Sequence, residues 1–497
     1  METGLYETLT GYCRQGMLPM HMPGHKRNPS FVMENPYGID VTEVAGVDDL
    51  HHPEGMIRRR MDWMAEKYHS EKSYLLINGS TGGILSAIAA CCRHGDRIAV
   101  ARNCHKSVYH AIRLLELCPV YMYPDETGGD LERLGIPGIL SEKLVEQVLR
   151  TYEDIRCVVL VSPTYEGIVS PIREIAEATA RYGVPLIVDE AHGAHFNWHP
   201  SFPETAVEAG ADLVVESLHK TLPSLTQTAV LHARFDRISK DRLEWCLQTF
   251  QSSSPSYVLM AGIDRCFAYI EREGQEAFER YVNNLRQFEE EMKQLKRLYL
   301  FDSPRKERSK IVIAADRTRM SGKELAECLR TRYRIETEMN LGDYCLAMTS
   351  VCDGAQAFER LGAALKEMDA EQARGEKDDG RFFSIFDRDR IRYIWQEPER
   401  AMFSYEAVFC PRERIPLEQA KGRVAADDVV LYPPGIPLLV QGEIFSGDMI
   451  RTLQAGIDMG YAIYGVENGC TYVVGTGGTH TVAGRTDGQN GKRKLAQ

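Results

Sequence analysis

Glu216-Ser217-Leu218-His219-Lys220-Thr221-Leu222-Pro223 follows directly on a short apolar run, residues 211–216, which reads as a buried strand. The stretch therefore sets a lysine at the end of a strand, among apolar neighbours. A buried ammonium group is costly unless it is neutralised or bonded. A covalent imine with an aldehyde removes the charge and makes the amine reactive. For a lone lysine, an ordinary solvated side chain would be the simpler reading. The segments around it in the chain decide against that.

Upstream stands Leu186-Ile187-Val188-Asp189-Glu190-Ala191-His192, another apolar run closed by a carboxylate. Ligands of open α/β sheets bind at the carboxyl ends of the strands, where Asp189 falls. A carboxylate there pairs with a protonated pyridine nitrogen, or else caps a helix. Further upstream, Asn78-Gly79-Ser80-Thr81-Gly82-Gly83 lies between a strand and a helix. Amides at that helix start, with the Ser80 and Thr81 hydroxyls, suit a phosphate dianion. A plain helix cap with turn glycines would read the same way. Asn103-Cys104-His105-Lys106-Ser107 follows the strand at 97–101, where His105 is placed to stack on a flat ring. Phosphate loop, carboxylate and lysine, each at a strand end and in this order, together predict a pyridoxal-phosphate (PLP) site. Ser217 and His219 are further phosphate donors.

Short apolar runs at 73–77, 97–101, 155–161, 185–188 and 213–216 alternate with helical stretches near 81–93 and 173–182. This predicts an α/β protein with a mostly parallel sheet and helices on both faces. Residues 1–45 carry Pro19, Pro23, Gly24, Pro29 and Pro36 and read as an irregular arm. A charged helix is expected at 57–68, and 240–295 reads as mostly helical. Met368–Arg390 is dense in charge and reads as an exposed linker, and the last dozen residues as disordered.

The chain of 497 residues carries a formal net charge of −12 without a basic stripe, which excludes a nucleic-acid partner; the acidic surface suits cationic substrates. The 13 cysteines contain no C-x-x-C, so reduced thiols in a cytoplasmic protein are expected rather than disulfides or a thiolate metal site. No run of 18 apolar residues predicts a membrane span, and no signal peptide stands at the N-terminus. The close pairs His21/His25 and His192/His195 lack an H-E-x-x-H pattern, and no metal is expected.

Met22–Arg27, Asp40–Glu43, Asp48–Gly55, Asn78–Gly83, Asn103–Ser107, Ser162–Gly167, Asp189–His192, Ser217–Pro223, Gln251–Tyr257 and Tyr432–Pro437 together resemble the Orn/Lys/Arg decarboxylase family, in its short, arginine decarboxylase-like form. The resemblance runs from about residue 19 to 445. It implies a fold-type I PLP-dependent transferase fold with a smaller α+β C-terminal domain. It also implies decarboxylation of a basic amino acid, arginine first, then lysine or ornithine, to CO2 and a polyamine or its precursor. By resemblance, Lys220 bonds the cofactor and Asp189 holds the pyridine nitrogen. His105 stacks on one ring face and Ala191 packs the other. Ser80, Thr81, Gly82, Ser217 and His219 hold the phosphate, and His192 lies on the substrate side. The family assembles as homodimers or larger homo-oligomers, and Ser253 and Ser254 would reach the neighbour's phosphate. The implied domains are 1–45, an arm; 46–290, the large PLP-binding domain; 291–375, a small α+β domain; and 376–497, the C-terminal domain with a flexible tail. His192 or His219 could share proton transfer with Lys220. Carboxylates at Asp48, Asp49, Glu54 and Glu443 read first as caps or surface charges, and otherwise as candidates for the substrate's distal cation. Gln441 departs from the family, which usually has proline there. Another fold-type I reaction such as aminotransfer, or an inactive regulatory paralogue, are the alternatives.

Overall fold

A computed structural model describes residues 4–374 except 32 and 34, then 397–432, 435–458 and 461–475. Its centre is a seven-stranded sheet built from β2 (Lys72–Leu76), β3 (Arg97–Ala101), β4 (Cys118–Met122), β5 (Ile155–Val161), β6 (Leu186–Asp189), β7 (Leu213–Glu216) and β8 (Ala229–Ala233). A further strand, β1 (Leu18–Met20), precedes them in the arm. The sheet order is β2-β8-β7-β6-β5-β3-β4, and β8 alone runs against the rest. Residues of β6, β7 and β8 are buried throughout, as expected of strands covered on both faces. Helices Gly79–Cys91, Lys106–Leu114 and Ile172–Arg181 fill the connections, so the predicted α/β class with a mostly parallel sheet holds.

A 36-residue helix, Tyr257–Met292, leads to a second sheet. This holds β9 (Tyr299–Leu300), β10 (Lys310–Ala314), β12 (Met339–Leu341) and β13 (Tyr344–Met348), while β11 (Ile335–Thr337) pairs in parallel with β1 of the arm. Helix Ala355–Arg374 packs on the long helix through Phe288 and Phe358. Two three-stranded sheets form the C-terminal part: β14 (Arg412–Pro416), β18 (Val466–Glu467) and β19 (Cys470–Val474), then β15 (Val429–Tyr432), β16 (Ile436–Leu439) and β17 (Ala462–Tyr464). Their apolar cluster around Leu439, Phe445 and Leu453 is separate from the other cores.

Two local expectations are corrected. The arm is not irregular throughout: Leu5–Cys13 is a helix whose side chains are all outside the core, and β1 is in a sheet. The charged stretch from Met368 is not all linker. It continues helix Ala355–Arg374, because Met368 and Asp369 are buried and Asp369 accepts the amides of Lys296, Arg297 and Leu298. Residues 375–390 of that stretch, and the tail after 475, lie outside the described residues.

Candidate active site

A cavity of about 400 Å3 opens at the carboxyl ends of β3, β5, β6 and β7. Its size is that of a small-molecule site. Lys220 stands in a four-residue helical turn, Leu218–Thr221, directly after β7, and Asp189 ends the neighbouring β6. Ser80, Thr81, Asn103, His105, Ala191, His192, Ser217 and His219 line the same cavity with them.

Each of these side chains is fixed locally. His105 caps helix Lys106–Leu114 by accepting the Ser107 amide on Nδ1, which leaves the ring proton on Nε2. It therefore serves the helix and lines the cavity at once. Burial, aided by the Lys220 charge, lowers its pKa to about 3. His219 Nδ1 donates to the Thr228 carbonyl at 3.0 Å, and burial lowers its pKa to about 4. Ser217 Oγ meets Ser80 Oγ at 3.0 Å, so the hydroxyls of the strand end and the helix start face one another. Asp189 Oδ1 accepts the Ala191 amide; burial raises this carboxyl while the Lys220 charge opposes the rise.

Lys220 Nζ lies 3.0 Å from His192 Nε2. Burial lowers the lysine pKa, against the pull of Asp189, and burial with the Lys220 charge pushes His192 well below its ordinary value. The pair thus sets a buried amine within hydrogen-bond distance of a buried imidazole. The His192 ring tilts against Tyr165, whose hydroxyl donates to Glu338 Oε1 at 2.5 Å. Glu338 Oε2 accepts the amide of Met22, another lining residue.

The arm closes over this turn. Gly24 N–H donates to the His219 carbonyl at 2.7 Å, and a Cβ on Gly24 would stand 2.6 Å from the Leu222 carbonyl oxygen, so only glycine permits the approach. Lys26 Nζ donates to the His21 and Met348 carbonyls, and Ser350 Oγ to the Gly24 carbonyl.

Several expected residues stand elsewhere. Gly82 lies behind the cavity wall, one turn into its helix, with its amide on the Asn78 carbonyl. Ser253 and Ser254 are exposed and do not line this chain's cavity. Asp48 accepts the amides of Glu54, Gly55 and Ile57 and so caps helix Met56–Tyr68; Asp49 holds the His51 amide and His52. Glu54 is exposed and does not line the cavity. Glu443 is engaged twice by Arg102, and none of these four carboxylates is presented to the cavity. Gln441 is buried, its amide on Asp428 and its Nε2 on the Ala426 carbonyl. Thr164, Tyr165, Gln227, Pro137 and Ile436 line the cavity without having been singled out, although Thr164 and Tyr165 fall in the Ser162–Gly167 segment and Ile436 in Tyr432–Pro437.

Comparison with known proteins agrees with this geometry. The sequence family described as Orn/Lys/Arg decarboxylase, major domain, matches residues 3–317, and the corresponding C-terminal domain matches 394–471. The arginine decarboxylase of Bacillus subtilis (strain 168) is 29% identical over 488 residues, 95% of this chain and 97% of that one. The uncharacterized protein YaaO of the same organism is 34% identical over 479 residues, 92% and 95% of the two chains. Among solved structures, the Francisella novicida lysine decarboxylase LdcF superposes with a TM-score of 0.74 at 17% identity, over 94% of this chain and 82% of that one. That likeness establishes the fold.

Proposed function

The chain belongs to the Orn/Lys/Arg decarboxylase family, and from that premise we propose that it uses PLP to decarboxylate a basic amino acid, arginine first, then lysine or ornithine. The observation that carries the reading is the Lys220–His192–Asp189 group inside one cavity whose mouth is set with hydroxyl and imidazole donors.

The residues present fit the cofactor. Asp189 is a buried carboxyl on which burial and the Lys220 charge act in opposite directions, and it would pair with a pyridinium nitrogen. Ser80, Thr81, Ser217 and His219 gather at the start of helix Gly79–Cys91, where amides and hydroxyls suit a phosphate. His105 and Ala191 would flank the ring. When bound, PLP supplies a sink for the electron pair left on Cα as CO2 departs.

The protein's own groups then have distinct tasks. Burial keeps the Lys220 amine in reach of its uncharged, nucleophilic form. Lys220 would return the proton to Cα, with the uncharged His192 ring bonded to its amine and orienting it. Tyr165 would line the wall for the substrate's distal cation, with Glu338 behind it, bonded to the two lining groups Tyr165 and Met22. The amino acid's charge would be matched by Glu338 in place of the carboxylates at 48–54 and 443. Homodimerisation, with Ser253 and Ser254 reaching a second copy's site, and a cytoplasmic setting belong to the same proposal. All 13 cysteines are free, and among the described residues no helix is long and apolar enough to cross a membrane.

The test is to supply PLP and incubate the protein separately with arginine, lysine and ornithine, measuring CO2 and the amine. One amine well above the others supports the reading and names the substrate. Keto acid without CO2 would replace it with aminotransfer. Lys220→Ala should lose both turnover and the cofactor's visible absorbance; a variant that kept both would refute the assignment of Lys220.

A further inference from the structure

His192 is held from two sides. Its ring reaches Lys220, and its carbonyl oxygen lies 3.4 Å from Lys310 Nζ. Lys310 opens β10, a strand of five buried residues, and is itself fully buried. A cation in such a place is expensive, and an apolar side chain would often serve stability as well or better. Its charge is met by Glu307, also buried, at 3.2 Å. Glu307 accepts the Ser309 amide and hydroxyl at 2.6 and 2.7 Å and stands 3.4 Å from His195 Nε2. The lysine stem has a second contact. A Cβ on Gly167, which has φ +94°, would lie 3.0 Å from Lys310 Cγ and 3.3 Å from Glu307 Cγ. The turn that brings Thr164 and Tyr165 to the cavity therefore closes directly on this ion pair. The Glu307 amide donates to the Gly167 carbonyl at 2.8 Å and fastens the closure. One buried cation of the second sheet thus touches both the 164–167 turn and the His192 backbone. The other titratable groups around His192 are Lys220, His105, His219 and Tyr165, the last bonded to Glu338.

We propose that Lys310 is a positioning residue: its bond to the His192 carbonyl and its packing beneath Gly167 fix the His192 ring against Lys220, so the second sheet sets the geometry of the proton-handling pair. The inference rests on the reading of Lys220 and His192 given above.

Lys310→Met keeps the stem and removes the charge. The visible absorbance of the PLP-loaded protein is titrated with pH in wild type, K310M, H192Q and the double variant. K310M should move the midpoint by about one pH unit, a tenfold change. The double variant should move no further than H192Q alone. An unchanged midpoint in K310M overturns the proposal. Simple addition of the two shifts also overturns it, because Lys310 would then act by its charge alone. If K310M does not fold, K310M/E307Q removes both charges and replaces it in the same cycle. If the wild type shows no visible band, the cofactor reading falls. A crystal structure of K310M then decides the positioning: a displaced His192 ring supports it, and a ring still 3.0 Å from Lys220 overturns it.

Discussion

Arg102→Met should loosen the attachment of the C-terminal part by about 3–5 kcal/mol, the usual cost of breaking a buried ion pair by removing one member. Arg102 is 1% exposed and forms two bonds to Glu443, at 3.1 and 2.9 Å, with a third to the Leu438 carbonyl. Tyr109, Tyr121 and Tyr123 place their rings 6.0, 4.9 and 5.9 Å from the guanidinium, so no water replaces it when it is lost. Coulomb's law at an effective dielectric of about 20 gives roughly 4–5 kcal/mol for charges this close, in line with that range. In R102M, Glu443 keeps the Val440 amide as a partner but no cation, and takes up a proton. Glu443→Gln in the same chain leaves an acceptor for that amide and removes the charge. R102M/E443Q should therefore lie within about 1–2 kcal/mol of wild type. Urea unfolding followed by circular dichroism, with limited proteolysis to mark release of the segment after residue 397, measures both variants. If R102M were within about 1 kcal/mol of wild type, or the double variant as weak as R102M, the pair would not be what holds the C-terminal part down.

Other outcomes follow from single contacts. His219 is uncharged in the fold, with a pKa near 4 against about 6.5 unfolded, so its contribution to stability is present above pH 6.5 and is lost as pH falls toward 4. The unfolding free energy from urea titrations should drop on the order of 1–2 kcal/mol between pH 7 and 5, and less in His219→Asn. Gly24→Ala drives a methyl group into the Leu222 carbonyl and should cost about 1–3 kcal/mol, read as faster protease cleavage within the arm. Gln441→Pro restores the residue usual in the family but deletes the amide bond to Asp428 and the side-chain bond to Ala426; a loss of about 1–3 kcal/mol in thermal unfolding is expected, and a gain would refute the reading.

That Lys220, Asp189 and His105 meet at one cavity was legible in the sequence because Asp189 ends an apolar run and the other two follow shortly after one. The strands were legible for the same reason: β5 was read with its ends in place, and β3 likewise. Glu338 and Lys310 were not. The contacts that matter at the cavity, Glu338 to Met22 and Tyr165 and Lys310 to His192, are distant in the chain, and the local pattern of a charged stretch or a strand's first residue gives nothing to distinguish them. Tyr165 lay inside a family segment, but its role depends on Glu338 and His192. The helix Leu5–Cys13 buries nothing, so it shows no apolar stripe against a core. For the carboxylates at 48, 49, 54 and 443 the sequence left a cap or surface charge beside a substrate role, because residue type does not distinguish them; Asp48 is a cap and Glu443 a buried ion-pair partner.

The seating of the arm has a consequence for biosynthesis. Met22 meets Glu338 across 316 residues, and β1 pairs with β11. At 5–20 residues per second, the ribosome delivers that partner roughly 15–60 s after the arm has emerged. The Lys220 turn is made 118 residues before Glu338 (338 − 220), so for roughly 6–24 s of that interval it exists before the arm's distant partners do. The last act of building this cavity is therefore a very non-local closure, and its pace is set by translation and by the search for a distant strand rather than by the sheet that carries the lysine.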